Sequence, residues 1–229
     1  MKILIVGLGR SGTTLTYRIL NNNPEVKKSF LEHCILQFHD SAKSLKKKEP
    51  CFNGTCCEKI NYTTDKLVRN VHPHHGEVDI SIDKYCEKWL DWFGSEARII
   101  HIIRHPLDGI FSFIAKRGRK MKLYKGHQID MVPEHIQQKM IKQYLRVCPS
   151  YPEKIAALPN TFTINYENLI MKPNMIKRAY TFCGLPNVPF TEGLRTARVF
   201  GHSESGFQID QPIDHILKIY NRIGEVTYK

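Results

Sequence analysis

Apolar positions fall into two kinds of run along this chain. Continuous runs rich in β-branched residues at Lys2–Gly7 and Ala97–Ile103 predict strands buried on both faces. Val26–Leu31, Leu67–Val71 and Thr161–Asn165 read as shorter strands. Spacing of three and four predicts helices elsewhere. One spans Thr13–Asn21, with Leu15, Ile19 and Leu20 on one face and Asn21-Asn22-Asn23-Pro24 as its stop. The strongest runs through Ile82, Tyr85, Cys86, Trp89, Leu90 and Phe93, with Ser81 placed as N-cap and Gly94 beyond the last turn. Others cover Asp108–Lys116, Pro133–Cys148, and the stretch from Pro173 through Ile176, Ala179, Tyr180 and Phe182 to Gly184-Leu185-Pro186. Strand, turn and helix alternate, which predicts an α/β fold with a central parallel sheet flanked by helices in three layers. Residues 40–62 show no periodicity and read as an insertion of undefined structure, and 117–125 as a basic loop.

Composition adds bounds. A chain of 229 residues with 41% hydrophobic side chains supports one substantial core, so a single domain over 1–229 is expected. Lys+Arg 34 against Asp+Glu 22 gives +12, an excess that suits an anionic ligand without naming it. No apolar run approaches the ~20 residues that cross a bilayer, so the reading is a cytoplasmic protein without signal peptide or membrane anchor. Seven cysteines, three of them at Cys51, Cys56 and Cys57, lack a second CxxC and read as reduced thiols rather than a zinc site. Two Asn-X-Thr triplets, at Asn53 and Asn61, are discounted without a secretory signal.

Between the first strand and first helix lies Gly7-Leu8-Gly9-Arg10-Ser11-Gly12-Thr13-Thr14. At that position backbone N–H groups and the positive end of the helix dipole cradle an anion. The glycine spacing and final threonine fit a P-loop, but the lysine after the second glycine is Thr13, which weakens a kinase or ATPase reading. Arg10 offers a displaced cation. With Arg10-Ser11-Gly12-Thr13-Thr14 the chain resembles the PAPS-dependent sulfotransferases, whose loop reads Lys or Arg, Ser, Gly, Thr, Thr. The resemblance implies a P-loop-type fold, with Gly9, Arg10, Ser11, Gly12, Thr13 and Thr14 around the 5′-phosphosulfate of the cofactor PAPS.

A second motif extends it. Arg104-His105-Pro106-Leu107-Asp108-Gly109-Ile110-Phe111-Ser112 sets an arginine at a strand end and a serine inside the next helix. In the family, residues so spaced hold the 3′-phosphate, which implies that role for Arg104 and Ser112. Asn165-Tyr166-Glu167-Asn168-Leu169, followed by Pro173 and Phe182-Cys183-Gly184-Leu185-Pro186, resembles the family's Tyr-Glu-Asp-Leu stretch and places Tyr166 near the adenine. Arg222-Ile223-Gly224 faintly resembles its last basic phosphate contact. The resemblance runs from Ile3 to about Pro186.

Sulfuryl transfer to a hydroxyl or amine needs a cation on the leaving phosphate, donors on the equatorial oxygens and a base near the acceptor. Arg10, the loop amides and Thr13 or Thr14 meet the first two needs, and no metal is expected. Two residues compete as base. Glu32, at the end of the second strand, sits where arginine-loop branches of the family carry a catalytic glutamate. His72, after the predicted third strand, has a pKa suited to neutral pH, although Asn70 stands where the cytosolic branch carries a lysine. Glu32 is preferred. The acceptor is of unknown class, whether glycan, peptide, lipid or small alcohol, and nucleic acid is disfavoured. The alternatives are a P-loop nucleotide or small-molecule kinase and a noncatalytic polyanion-binding module, the latter suggested by the overall charge and by Lys46-Lys47-Lys48.

Overall fold

Strand β1 (Lys2–Leu8) is buried along its whole length, since it is hydrogen-bonded on both edges and covered on both faces. The computed structural model describes residues 1–31, 35–62, 81–120, 132–147, 152–172, 174–190 and 214–225. In chain order the elements are β1, α1 (Thr13–Asn21), β2 (Lys28–Leu31), α2 (Ala42–Lys48), β3 (Cys56–Tyr62), α3 (Ile82–Phe93), β4 (Ala97–Ile103), α4 (Pro106–Lys120), α5 (Glu134–Val147), α6 (Pro152–Ala156), β5 (Thr161–Asn165), α7 (Tyr166–Met171), α8 (Asn174–Phe182) and α9 (Asp214–Glu225). The five strands among the described residues form one parallel sheet in the order β2-β3-β1-β4-β5.

Alternation along β1 sorts the core into two layers. Leu4, Val6 and Leu8 face α3, α4 and α5 through Trp89, Phe93, Ile110, Ile114 and Tyr144. Ile3 and Ile5 face the other way, onto Ile19 and Leu20 of α1 and Ile176, Ala179 and Tyr180 of α8. Burying each large apolar side chain stabilises by roughly 1.5–3 kcal/mol. The polar atoms of the largest side chains are satisfied: Trp89 Nε1 donates to the Lys2 carbonyl at 3.2 Å, and the Tyr180 hydroxyl to that of Ile19 at 2.7 Å. This is the expected α/β architecture, with helices on both faces of a parallel sheet.

Residues 40–62 are corrected. They hold α2 and all of β3, which lies between β2 and β1 inside the sheet. The strand is hard to read because Glu58 and Lys59 sit at its middle, and both are buried. Glu58 is accommodated by specific donors: its carboxylate accepts the Ile35 N–H at 3.0 Å and the Tyr85 hydroxyl at 2.6 Å. The Tyr85 oxygen in turn accepts the Leu36 N–H at 3.1 Å. The strand predicted at Leu67–Val71 falls outside the described residues, as do Pro173 and most of the basic loop. Cys57, Cys86 and Cys183 are free and buried, and Cys56 is buried with them. Among the described residues no helix is long and apolar enough to cross a membrane.

Candidate active site

In an open parallel sheet, ligands settle beyond the carboxyl ends of neighbouring strands whose following connections leave in opposite directions. Here those strands are β1 and β4: the chain leaves β1 toward β2 and β3, and leaves β4 toward β5. Register aligns their ends, with Gly7 opposite Ile102 and Ile103 opposite Asn165. The next residues along each path are the glycine loop, Arg104 and Tyr166.

The loop from Gly7 to Thr14 is tight. The Ser11 N–H donates to the Leu8 carbonyl at 2.9 Å, and both Arg10 (φ 77°) and Gly12 (φ 106°) take positive φ. Gly12 is the N-cap of α1 and supplies no side-chain oxygen to its first turn, so those amides face the loop rather than a capping side chain. Gly7 is equally constrained, since a Cβ there would stand 2.5 Å from Ser11 Oγ and 2.6 Å from the Ile102 carbonyl oxygen. Ser11 is 1% exposed and its hydroxyl has no hydrogen-bond partner among the described residues.

The second motif meets the first directly. Arg104, 8% exposed, donates from Nη1 to the Arg10 carbonyl at 3.1 Å. Arg10 Nε donates to Ser112 Oγ at 3.1 Å, and Ser112 is buried one turn into α4 beyond Asp108. Each arginine thus restrains the other's segment: Arg104 fixes the strained Arg10 backbone, and Ser112 fixes the Arg10 side chain. Tyr166 joins them, its ring 4.4 Å from the Arg104 guanidinium carbon and packed against Gly12. Two guanidinium groups held in one crevice, beside an uncapped helix start, form a site that a polyanion relieves electrostatically.

Of the predicted residues, Gly9 to Thr14, Arg104, Ser112 and Tyr166 converge on this crevice. Glu32 and His72 lie outside the described residues. β2 ends at Leu31, the residue before Glu32, and the strand expected at Leu67–Val71 ahead of His72 lies outside the described residues as well. Arg222 is on an exposed face of α9 and pairs with Glu153 of α6, not with the loop.

Residues that motif reading gave no role complete the frame. Glu167 accepts the His105 N–H through Oε1 at 2.9 Å and the Tyr220 hydroxyl through Oε2 at 2.8 Å. The sequence offers no signal for Tyr220, which reaches its partners only because α9 packs across β5 and α6. Asp83 is bonded by the Ser81 hydroxyl and sits 3.5 Å from Lys154 Nζ. Burial opposes its ionisation, but the Ser81 and backbone hydrogen bonds and Lys154 outweigh that and hold its carboxyl below the usual range.

A family model described as the sulfotransferase domain matches residues 1–197. The chain belongs to the sulfotransferase family. Solved relatives of this sulfotransferase are distant. The sulfotransferase domain from the curacin biosynthetic pathway is 15% identical, with 82% of this chain and 75% of that one covered at TM-score 0.51. Mouse sulfotransferase SULT7A1, solved in complex with PAP, is 13% identical over 82% of this chain and 58% of its own, at TM-score 0.49. The sulfotransferase domain of the Synechococcus PCC 7002 olefin synthase is 13% identical over 100% and 89%, at TM-score 0.41. At such identity the curacin domain, the one of these three with a TM-score above 0.5, shows a likeness of fold alone. No curated protein matches the sequence.

Proposed function

We propose that this sulfotransferase takes PAPS as donor and moves its sulfuryl group to an acceptor hydroxyl or amine by in-line displacement. The observation that carries this reading is the mutual restraint of Arg10, Ser112 and Arg104, which makes one crevice out of two separate phosphate-binding motifs. A nucleotide with phosphate on both sides of its ribose needs two anion subsites a short distance apart. The buried, unpartnered Ser11 hydroxyl and the uncapped first turn of α1 fit one of them.

When bound, PAPS supplies an activated sulfuryl group on a phosphate leaving group. The residues of the chain divide the remaining work. Arg10 and the amides of Gly12, Thr13 and Thr14 orient the 5′ end and balance negative charge on the leaving phosphate. Arg104 and Ser112 hold the 3′-phosphate and so choose this nucleotide over one without it. Tyr166, only 7% exposed and engaged by Gly12 and Arg104, supports the guanidinium more than it offers a free face to the adenine. A base near the acceptor takes the proton, with Glu32 preferred and His72 its competitor. The acceptor class stays open in this proposal.

Thermal shift with PAP against ATP·Mg²⁺ tests the reading. PAP alone should stabilise the protein, and Arg10→Ala and Arg104→Ala should each sharply reduce the shift while retaining a cooperative melt. Stabilisation by ATP only with Mg²⁺ would make the protein a P-loop kinase instead. Turnover of Glu32→Gln and His72→Ala then separates the two candidate bases.

A further inference from the structure

The Tyr220 hydroxyl makes two hydrogen bonds, donating to Glu167 Oε2 at 2.8 Å and accepting from Asn165 Nδ2 at 3.2 Å. Its ring meets that of His105 edge-on, with centroids 5.3 Å apart. The other oxygen of Glu167 accepts the His105 N–H at 2.9 Å. One aromatic side chain on α9 therefore touches the residues immediately before and after Tyr166 and the residue immediately after Arg104. The pair so bracketed is the one in which the Arg104 guanidinium lies over the Tyr166 ring.

The anchorage of α9 is independent of this contact. Ile223 is buried with Ile103 in a small apolar cluster, and Arg222 pairs with Glu153 on α6. Tyr220 can thus lose its hydroxyl without freeing the helix. Burial and the adjoining Glu167 charge push the phenol upward from its ordinary value, so the hydroxyl remains a donor at neutral pH. Glu167 is oriented at both oxygens and cannot turn without releasing the start of α4.

We infer that Tyr220 and Glu167 are positioning residues for nucleotide selectivity: they fix the turns carrying Arg104 and Tyr166, and through them the guanidinium that takes the 3′-phosphate. The inference rests on the reading above that Arg104 binds that phosphate. A merely structural pair would stabilise the fold and weaken every nucleotide alike. A positioning pair acts on one phosphate.

The test is calorimetric titration of the full chain with PAP and with adenosine 5′-phosphate, which lacks the 3′-phosphate. Wild type should prefer PAP. Tyr220→Phe keeps the ring on His105 and should weaken PAP about tenfold while adenosine 5′-phosphate changes by less than about twofold, the scale expected for lost buried hydrogen bonds. Glu167→Gln retains an acceptor for the His105 N–H and should shift the ratio in the same direction by less. In an Arg104→Ala background Tyr220→Phe should cost no further PAP affinity, because the group it positions is gone. A wild-type preference left intact by both variants overturns the inference alone, as does equal weakening of the two nucleotides. A wild type that does not distinguish them overturns the 3′-phosphate reading and this inference with it.

Discussion

Replacing Gly12 by alanine places two separable costs on one methyl group. The first is conformational: Gly12 sits at φ 106° and ψ 6°, where an L-residue with a Cβ is disfavoured by about 1–2 kcal/mol. The second is steric. The new Cβ would overlap Tyr166 Cδ2 and stand 2.7 Å from Cε2, on a ring with little room to retreat because it is buried and lies under Arg104. If the ring moves, the cation–π contact is lost, worth about 0.5–2 kcal/mol at partly desolvated sites. The total is roughly 1.5–4 kcal/mol, which at ~2–4 °C per kcal/mol for a chain of this size lowers the melting temperature by about 3–16 °C. Calorimetry of Gly12→Ala, Tyr166→Ala and the double variant separates the terms. With Tyr166 already truncated, Gly12→Ala should cost only the backbone part, giving a coupling of about 0.5–2 kcal/mol. Strict additivity, or a Gly12→Ala protein melting at the wild-type temperature, would refute the claim that this ring packs tightly against the glycine loop.

Two further outcomes are expected. His101 is wholly buried on β4 beside Thr163 Oγ1 at 3.4 Å, and burial holds its pKa at about 3 against 6.5 when exposed. The folded value is depressed, so the unfolded chain binds the extra proton first. The contribution is complete above pH 6.5 and is lost as the pH falls from 6.5 toward 3, amounting to about 2 kcal/mol at pH 5. Urea melts at pH 7.5 and 5.0 should show that difference shrinking by about this amount in His101→Asn, and equal slopes would contradict it. Thiol labelling of the native protein should spare Cys57, Cys86 and Cys183, since burial raises all three, with Cys183 pushed up to about 12. Modification of any of them without unfolding, seen by peptide mass, would count against the packing described.

The parts of this protein legible from sequence are those in which neighbouring residues carry the whole signal. β1 and β4 are dominated by apolar residues, and α3 presents Ile82, Tyr85, Cys86, Trp89 and Phe93 at helical spacing, all of them buried. The glycine loop and the Arg104–Ser112 spacing are likewise local, and their convergence follows from the parallel alignment of β1 with β4. What sequence hides is relational. β3 has Glu58 and Lys59 at its centre, and the carboxylate is tolerable only because Tyr85 and the Ile35 amide arrive from other segments. Tyr220 meets Asn165 and Glu167 across more than fifty positions of chain, a distance over which no periodicity speaks.

The strand order has a cost in time. β1 lies at the middle of the sheet, yet it precedes both strands that flank it, pairing Lys2 with Cys56 on one edge and with Ala97 on the other. On the ribosome this largely apolar segment is made before either neighbour and waits with both edges open until they emerge. Non-local pairing of this kind slows folding and leaves a sticky edge in the interim. During synthesis β1 therefore stays open to mispairing until β4 has left the exit tunnel.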